Sequence, residues 1–132
     1  MKVEPKPESP LTISDEKLAE YRAGWREREA RKRQERQERH SRAWQAVQDA
    51  ARVLRESFGA QRVRAFGTVL HPEAFHLRSD IDLAAEGIDP LRVLKAWCAV
   101  SAVAPEFEFD LVTPDECRPE IWASVETEGV EV

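Results

Sequence analysis

The sequence predicts an α/β (α+β) domain in which helices pack on a small mixed β-sheet of three or more strands, preceded by a long N-terminal helical arm. Two observations support the domain. Short stretches in which apolar and polar residues alternate, as in strands, are interleaved with stretches of helical periodicity. At two expected helix starts, proline follows an Asp or Thr that can cap the helix. The arm is predicted by a long charged stretch that leads into an apolar helical face ending at Gly59. A helix from residue 15 to residue 58 would be about 66 Å long.

The N-terminal third divides into a tail and the arm. Three prolines and few apolar side chains among the first ten residues predict a disordered tail over residues 1–13. The hydroxyl of Ser14 is suited to cap the first turn of a helix. Residues 14–43 therefore form the predicted arm, and residues 44–132, where the apolar face returns, form the predicted domain.

Charge is shared unevenly between these parts. Residues 1–43 carry 12 Lys and Arg against 9 Asp and Glu, and residues 44–132 carry 8 against 16, which gives net charges of +3 and −8. Because the phosphate backbone attracts clustered Lys and Arg, the acidic domain is a poor general nucleic-acid binder. RNA binding through the arginine-rich arm stays open, although interleaved glutamates weaken its positive field.

Membrane association is not expected, because the sequence has neither a long apolar run nor the apolar core of a signal peptide. The two cysteines, Cys98 and Cys117, are too few for a disulfide framework and lack the spacing of metal ligands. A reducing cytoplasm is the expected compartment.

The elements of the domain follow in order from residue 62. Strands are expected over residues 62–66, 80–85 and 107–112. One helix should follow Asp89 and Pro90, and a last helix should follow a capping box at residues 113–116. The middle helix carries six apolar positions, and Cys98 among them is expected to be buried; Trp97 and Trp122 are expected in the core. Those six positions are Leu91, Val93, Leu94, Trp97, Cys98 and Val100.

Three carboxylates lie on two of the predicted strands, after the glycine at position 67. Asp80 and Asp82 lie two residues apart, so that in a strand both project from one face while Ile81 points to the core. Asp110 lies on a later predicted strand. Carboxylates held close together need a cation between them, and oxygen-only ligands suit Mg²⁺ or Mn²⁺ rather than Zn²⁺.

Less specific explanations compete with this interpretation. An Asp at a strand end is often a turn former or a helix cap, and a single Asp-x-Asp pattern is weak evidence for a metal site. The buried positions that alternate with the acids, and the upstream Gly67, favour a site. His71 and His76, in the polar loop between the first two strands, are expected to face solvent.

At Phe66-Gly67-Thr68, followed by Ser79-Asp80-Ile81-Asp82-Leu83 and later by Phe109-Asp110-Leu111, the chain resembles the minimal nucleotidyltransferases (MNT domains) of the polymerase-beta superfamily. The resemblance covers about residues 44–132. Members of this family are often encoded beside a HEPN-domain partner.

This resemblance implies a nucleotidyltransferase-like fold and a Mg²⁺-dependent transfer of AMP from ATP to a protein hydroxyl. Asp80, Asp82 and Asp110 would be catalytic and would bind the metal, and Gly67 and Thr68 would bind the nucleotide. A HEPN-domain toxin would be the partner, which would make this chain an antitoxin. The nucleotide, the acceptor and the oligomeric state stay open.

Residues 69–73 depart from the family pattern, because Val-Leu-His-Pro-Glu stands where Ala-Arg-Gly is common. This departure keeps a second hypothesis open, in which the chain is a catalytically degenerate binding subunit that neutralises a partner through the arm. Tyr21 and Trp25, on the otherwise charged arm, would then anchor the partner, since Tyr and Trp are favoured at binding hot spots.

Overall fold

A computed structural model describes residues 13–132. These residues form two compact units, one ending at Glu35 and the other running from Arg36 to Val132. The second unit includes residues 36–43, and the predicted boundary at residues 43 and 44 stays a prediction. The predicted disordered tail lies outside the described residues except for Ile13.

The long N-terminal helix, α1, spans Asp15–Phe58. Its start is the expected one, because the Ser14 hydroxyl accepts a hydrogen bond from the backbone amide of Lys17 at 3.3 Å. In the first unit Tyr21 and Trp25 are 55% and 59% exposed. Among residues 13–132, no helix combines the length and the apolar character that crossing a lipid bilayer needs.

A four-stranded mixed sheet, as predicted, is the centre of the second unit. Its strands are β1 (Arg62–Phe66), β2 (Ile81–Glu86), β3 (Phe109–Val112) and β4 (Val130–Glu131), in the spatial order β3-β2-β1-β4. Strand β1 runs antiparallel to both β2 and β4, whereas β2 and β3 are parallel. The parallel connection contains helix α2 (Val93–Val103), as a crossover between parallel strands requires.

Helices cover both faces of the sheet. The C-terminal half of α1 and helix α2 pack on the face that carries Val63, Ala65, Ile81 and Leu83, all fully buried. Helix α3 (Pro119–Glu128) packs on the opposite face, where Val125 and Trp122 meet Phe66 and Ala84. This second face is the one that carries the acids.

The buried face of α2 differs from the predicted one. Val93, Ala96 and Val100 are buried, at the spacing of one helix face, while Leu91 and Leu94 are exposed. Cys98 is also exposed, so its prediction as a buried residue was wrong. Trp97 lies at the edge of the sheet rather than in the core, and its indole Nε1 donates to the Phe109 carbonyl at 2.7 Å.

The last helix begins later than predicted. Residues 113–116 form a turn in which the Glu116 amide donates to the Thr113 carbonyl at 3.3 Å, and α3 starts at Pro119 with Arg118 as its cap residue. The predicted capping box was therefore wrong. Proline still occupies the first helical position, as Pro119. At this position a backbone N–H would have no partner within the helix, so its absence from proline costs no hydrogen bond.

Candidate metal and nucleotide site

Asp82 and Asp110 lie directly opposite each other on parallel neighbouring strands. The register pairs Asp82 of β2 with Asp110 of β3 and, on its other side, with Phe66 of β1. Neighbouring strands are about 4.8 Å apart, and paired residues project from the same face. The pairing of β2 with β3 therefore brings the second and third predicted acids together.

Burial alternates around Asp82 as the sequence predicted, although it does not continue along the rest of β2. Ile81 and Leu83 are fully buried, Asp82 between them is half-buried, and Asp80 just before the strand is exposed. Asp110 is also exposed. Helix α3 covers Ala84, the next residue on the acid-bearing face, so the acids lie where this cover ends.

The charges of the three acids act on one another. Burial, then the negative charge of Asp110 and then that of Asp80 raise the pKa of the Asp82 carboxyl to about 6. Burial disfavours the ionised form, and a neighbouring carboxylate disfavours it further. The side chain of Asp82 thus lies within electrostatic reach of both other acids.

Gly67 lies against Asp82. Its backbone has a φ of +76°, and a Cβ at this position would overlap the Asp82 carboxylate. Glycine therefore serves two purposes here, because it adopts this conformation without strain and leaves room for the acid. Thr68 follows in a single 3-10 turn, Gly67–Leu70, and is exposed.

The β1–β2 loop (residues 67–80) joins Gly67 to Asp80. Its anchor is Phe75, which is fully buried between the ring of Phe107 and the side chains of α1. Its last turn is closed by Ser79, whose hydroxyl accepts from the His76 amide at 3.0 Å. His71 and His76 are exposed, as expected.

Three residues that the sequence analysis did not single out support this region. Arg39 and His40 of α1 contact the β1–β2 loop through hydrogen bonds. The buried Arg64 pairs with Glu86 at 3.3 Å on the same face of the sheet as Asp82, with its guanidinium 5.4 Å from the centre of the Trp122 ring. Of the three, only His40 could have been found from the sequence. It lies one helical turn before Trp44 and therefore extends the apolar face of α1 by one turn.

The donor set fits a hard divalent cation. Three carboxylates that interact electrostatically, with Asp82 and Asp110 in register, are ligands that Mg²⁺ prefers. Within residues 13–132, however, no three His, Cys, Asp or Glu side chains stand ready to hold a metal ion. The predicted metal site therefore stays a prediction.

Solved structures, but neither family models nor curated proteins, match this chain. A crystal structure of the toxin-antitoxin MntA-HepT matches with 20% identity and a TM-score of 0.51, over 67% of this chain and 69% of the other. The chain has the same fold. The fold resemblance predicted from the sequence is thereby confirmed.

Two further structures give the same result. A toxin-antitoxin crystallised with AMP-PNP matches with 22% identity and a TM-score of 0.52, over 61% of this chain and 67% of the other. A mutant of the toxin-antitoxin MntA-HpeT matches with 19% identity and a TM-score of 0.55, over 64% and 70%. At these identities the likeness is one of fold.

The contact between Gly67 and Asp82 can be tested by replacing glycines with alanine. Gly67→Ala should lower the free energy of unfolding more than Gly59→Ala, by about 1 kcal/mol or more. Both glycines have positive φ, so both variants carry backbone strain of about 1–2 kcal/mol. Only at position 67 would the new Cβ also displace the Asp82 carboxylate, because nothing lies within 4 Å of it at position 59. Urea unfolding measures both; equal losses would show that the contact is absent.

The raised pKa of Asp82 predicts a stability that depends on pH. The folded state keeps its proton up to about pH 6, whereas an unfolded Asp loses it near pH 4, so Asp82 stabilises the fold below about pH 4 and this contribution is lost between pH 4 and 6. Asp82→Asn should therefore unfold with about 1 kcal/mol more free energy than wild type at pH 7.5 in metal-free buffer, after allowance for solvent screening.

This advantage of Asp82→Asn should shrink as the pH falls from about 6 to 4, where the folded wild type regains its proton. Asp115→Asn, at an exposed carboxylate, serves as the control and should match wild type at every pH. Urea unfolding between pH 4 and pH 8 gives the measurement. A constant difference across that range, or none, would contradict the coupling of Asp82 to the other acids.

Proposed function

We propose that this chain is a Mg²⁺-dependent nucleotidyltransferase that transfers AMP from ATP to a hydroxyl of a HEPN-domain protein, as the antitoxin of a toxin–antitoxin pair. One observation carries this proposal: Asp82 faces Asp110 in register and interacts with Asp80, directly beside the Gly67 turn. This places candidate metal ligands next to a backbone segment suited to phosphate.

The residues of the site have distinct roles in this proposal. Asp80 and Asp82 would hold the divalent ions, which when bound neutralise the charge that builds up on the phosphate and leaving-group oxygens. Asp110 completes the ligand set and accepts the proton of the attacking hydroxyl. Gly67 and Thr68 present backbone amides to the phosphates, since glycine permits close approach. The exposure of Asp110 leaves room for an acceptor.

The comparisons support the class of activity. The matching structures are of toxin-antitoxin proteins, one of them crystallised with AMP-PNP. A chain of this fold with the acids in place therefore suits an ATP-like substrate and a toxin partner. The departure from the family pattern at residues 69–73 leaves all three acids in the sequence, at positions 80, 82 and 110.

Transfer can be tested with ATP labelled in its α-phosphate, Mg²⁺ and the protein encoded by the neighbouring gene, which the proposal expects to be a HEPN-domain protein. Wild type should label the partner, and Asp80→Asn/Asp82→Asn should label it at least about 100-fold more slowly, because charge stabilisation of the transition state is lost. EDTA should have the same effect. Asp115→Asn, at an exposed carboxylate outside the proposed ligand set, should retain the wild-type rate.

Misfolding is separable from loss of chemistry here, because Asp82→Asn alone is expected to be more stable than wild type at neutral pH. Circular dichroism of the double variant provides that check. A wild type that leaves the partner unlabelled, or a double variant that labels it equally fast, would overturn the proposal.

A second candidate function is favoured by the exposed aromatic side chains of the arm. Tyr21 and Trp25 are one helical turn apart and more than half exposed, on a helix face where they lie side by side. In this function the arm binds the toxin and neutralises it without nucleotide transfer.

The two functions respond differently to substitution. Tyr21→Ala/Trp25→Ala should weaken partner binding at least about tenfold if these side chains anchor the toxin. The matched control is Glu20→Ala/Arg26→Ala. It truncates the residue next to each aromatic side chain in the sequence and leaves the net charge unchanged. Isothermal titration calorimetry measures affinity, and growth rescue measures neutralisation. Unchanged affinity in the aromatic variant would rule out this role of the arm.

A further inference from the structure

Two consecutive residues of α1 contact the β1–β2 loop near both of its ends. Arg39 reaches the carbonyl oxygens of His76 and Leu77, shortly before Asp80, while His40 reaches the carbonyl of Val69, shortly after Gly67. All of these residues belong to the second compact unit. The loop thus has a partner on α1 at its beginning and at its end.

Arg39 holds the end of the loop in a way that few side chains could. Its Nη2 donates to the Leu77 carbonyl at 3.0 Å and its Nε to the His76 carbonyl at 3.4 Å. The guanidinium also lies 4.7 Å from the centre of the Phe107 ring. Bonding two successive carbonyls while stacking on an aromatic ring requires the planar fork of arginine, and lysine cannot reproduce it.

His40 holds the beginning of the loop. Its Nε2 lies 2.7 Å from the Val69 carbonyl oxygen, and because a carbonyl only accepts, Nε2 carries the proton and donates it. The imidazole edge also meets the ring of Phe75, with centroids 5.8 Å apart. The hydrogen bonds of Arg39 and His40 matter because carbonyl groups in a loop lack the hydrogen-bond partners that neighbouring strands provide in a sheet.

The geometry points to Arg39 and His40 as positioning residues that fix the β1–β2 loop and thereby place Gly67 and Asp80 relative to Asp82. This inference rests on the proposed nucleotidyl transfer for its functional consequence. Arg39 lines a surface cavity together with Asp80, but its hydrogen bonds, like that of His40, go to the backbone of the loop. Reacting groups held in the wrong position by about 1 Å react about 100-fold more slowly, which is why the order of this loop matters.

Hydrogen exchange of the full chain, followed by mass spectrometry, tests the structural part without any enzyme assay. Arg39→Met should speed exchange of the amides in residues 71–79 about tenfold, because the two carbonyl contacts are lost. Exchange in residues 43–58 and 81–86 should stay as in wild type. The matched control is Arg36→Met, one turn earlier on α1, where the side chain is exposed and pairs with no residue in 13–132.

Two outcomes of this measurement would overturn the inference. One is unchanged exchange in residues 71–79, which would mean that the loop is ordered without Arg39. The other is faster exchange throughout the second unit, which would mean that Arg39 serves only the stability of the whole fold.

Nucleotide transfer gives the functional part, at a temperature where circular dichroism shows each variant fully folded. Arg39→Met should lower kcat at least about tenfold, and Arg39→Lys should recover little of it, while Arg36→Met keeps the wild-type kcat. For the second residue, His40→Gln should retain more activity than His40→Leu, since glutamine keeps a donor for Val69. Equal kcat in Arg39→Met and Arg36→Met would refute the positioning role.

Failure of the proposed function would look different. In that case wild type itself would transfer no nucleotide, and the exchange experiment would still decide whether Arg39 orders the loop.

Discussion

The parallel pairing of β2 with β3 is the interaction on which the candidate site depends. It brings Asp110, 28 residues further along the chain, into register with Asp82. The buried side chains of Ile81 and Leu83 fix this register, since a shift by one residue would turn them out of the core and turn Asp82 into it. The hydrophobic core therefore determines where the charges meet, and helix α2 supplies the crossover that makes the parallel pairing possible.

Accommodating a half-buried acid constrains its surroundings. The Asp82 carboxylate needs space, which Gly67 provides, and its pKa shows that burial and like charge act on it together. Such repulsion opposes folding, so other parts of the second unit must offset it. The ion pair of the buried Arg64 with the half-buried Glu86 and the packing of α3 stabilise the same face of the sheet. The acids thus lie on a rigid support, which suits a site that must hold ligands in fixed positions.

Much of this arrangement was predictable from the sequence, and the reasons differ from element to element. Strand β1 and the alternation around Asp82 follow from local periodicity, which a single sequence records directly. The opposition of Asp82 and Asp110 was inferred only through the family resemblance, because register between distant strands is a property of the folded chain. The start of α3 was predicted too early, since Thr113 and Pro114 form a turn as readily as a helix cap. The contacts of Arg39 could not be predicted, because a charged residue in a charged stretch carries no sign of its partner.

The position of Trp97 has a consequence for how molecules of this protein meet one another. Strand β3 is an edge strand of the sheet, and the unpaired main-chain groups of an edge strand can pair with a strand from another molecule. The indole of Trp97 already occupies the Phe109 carbonyl there, and the strand is only four residues long. Pairing of this edge with a strand from another molecule is thereby disfavoured. The edge of the sheet beside Asp110 therefore stays accessible and does not become a site of aggregation.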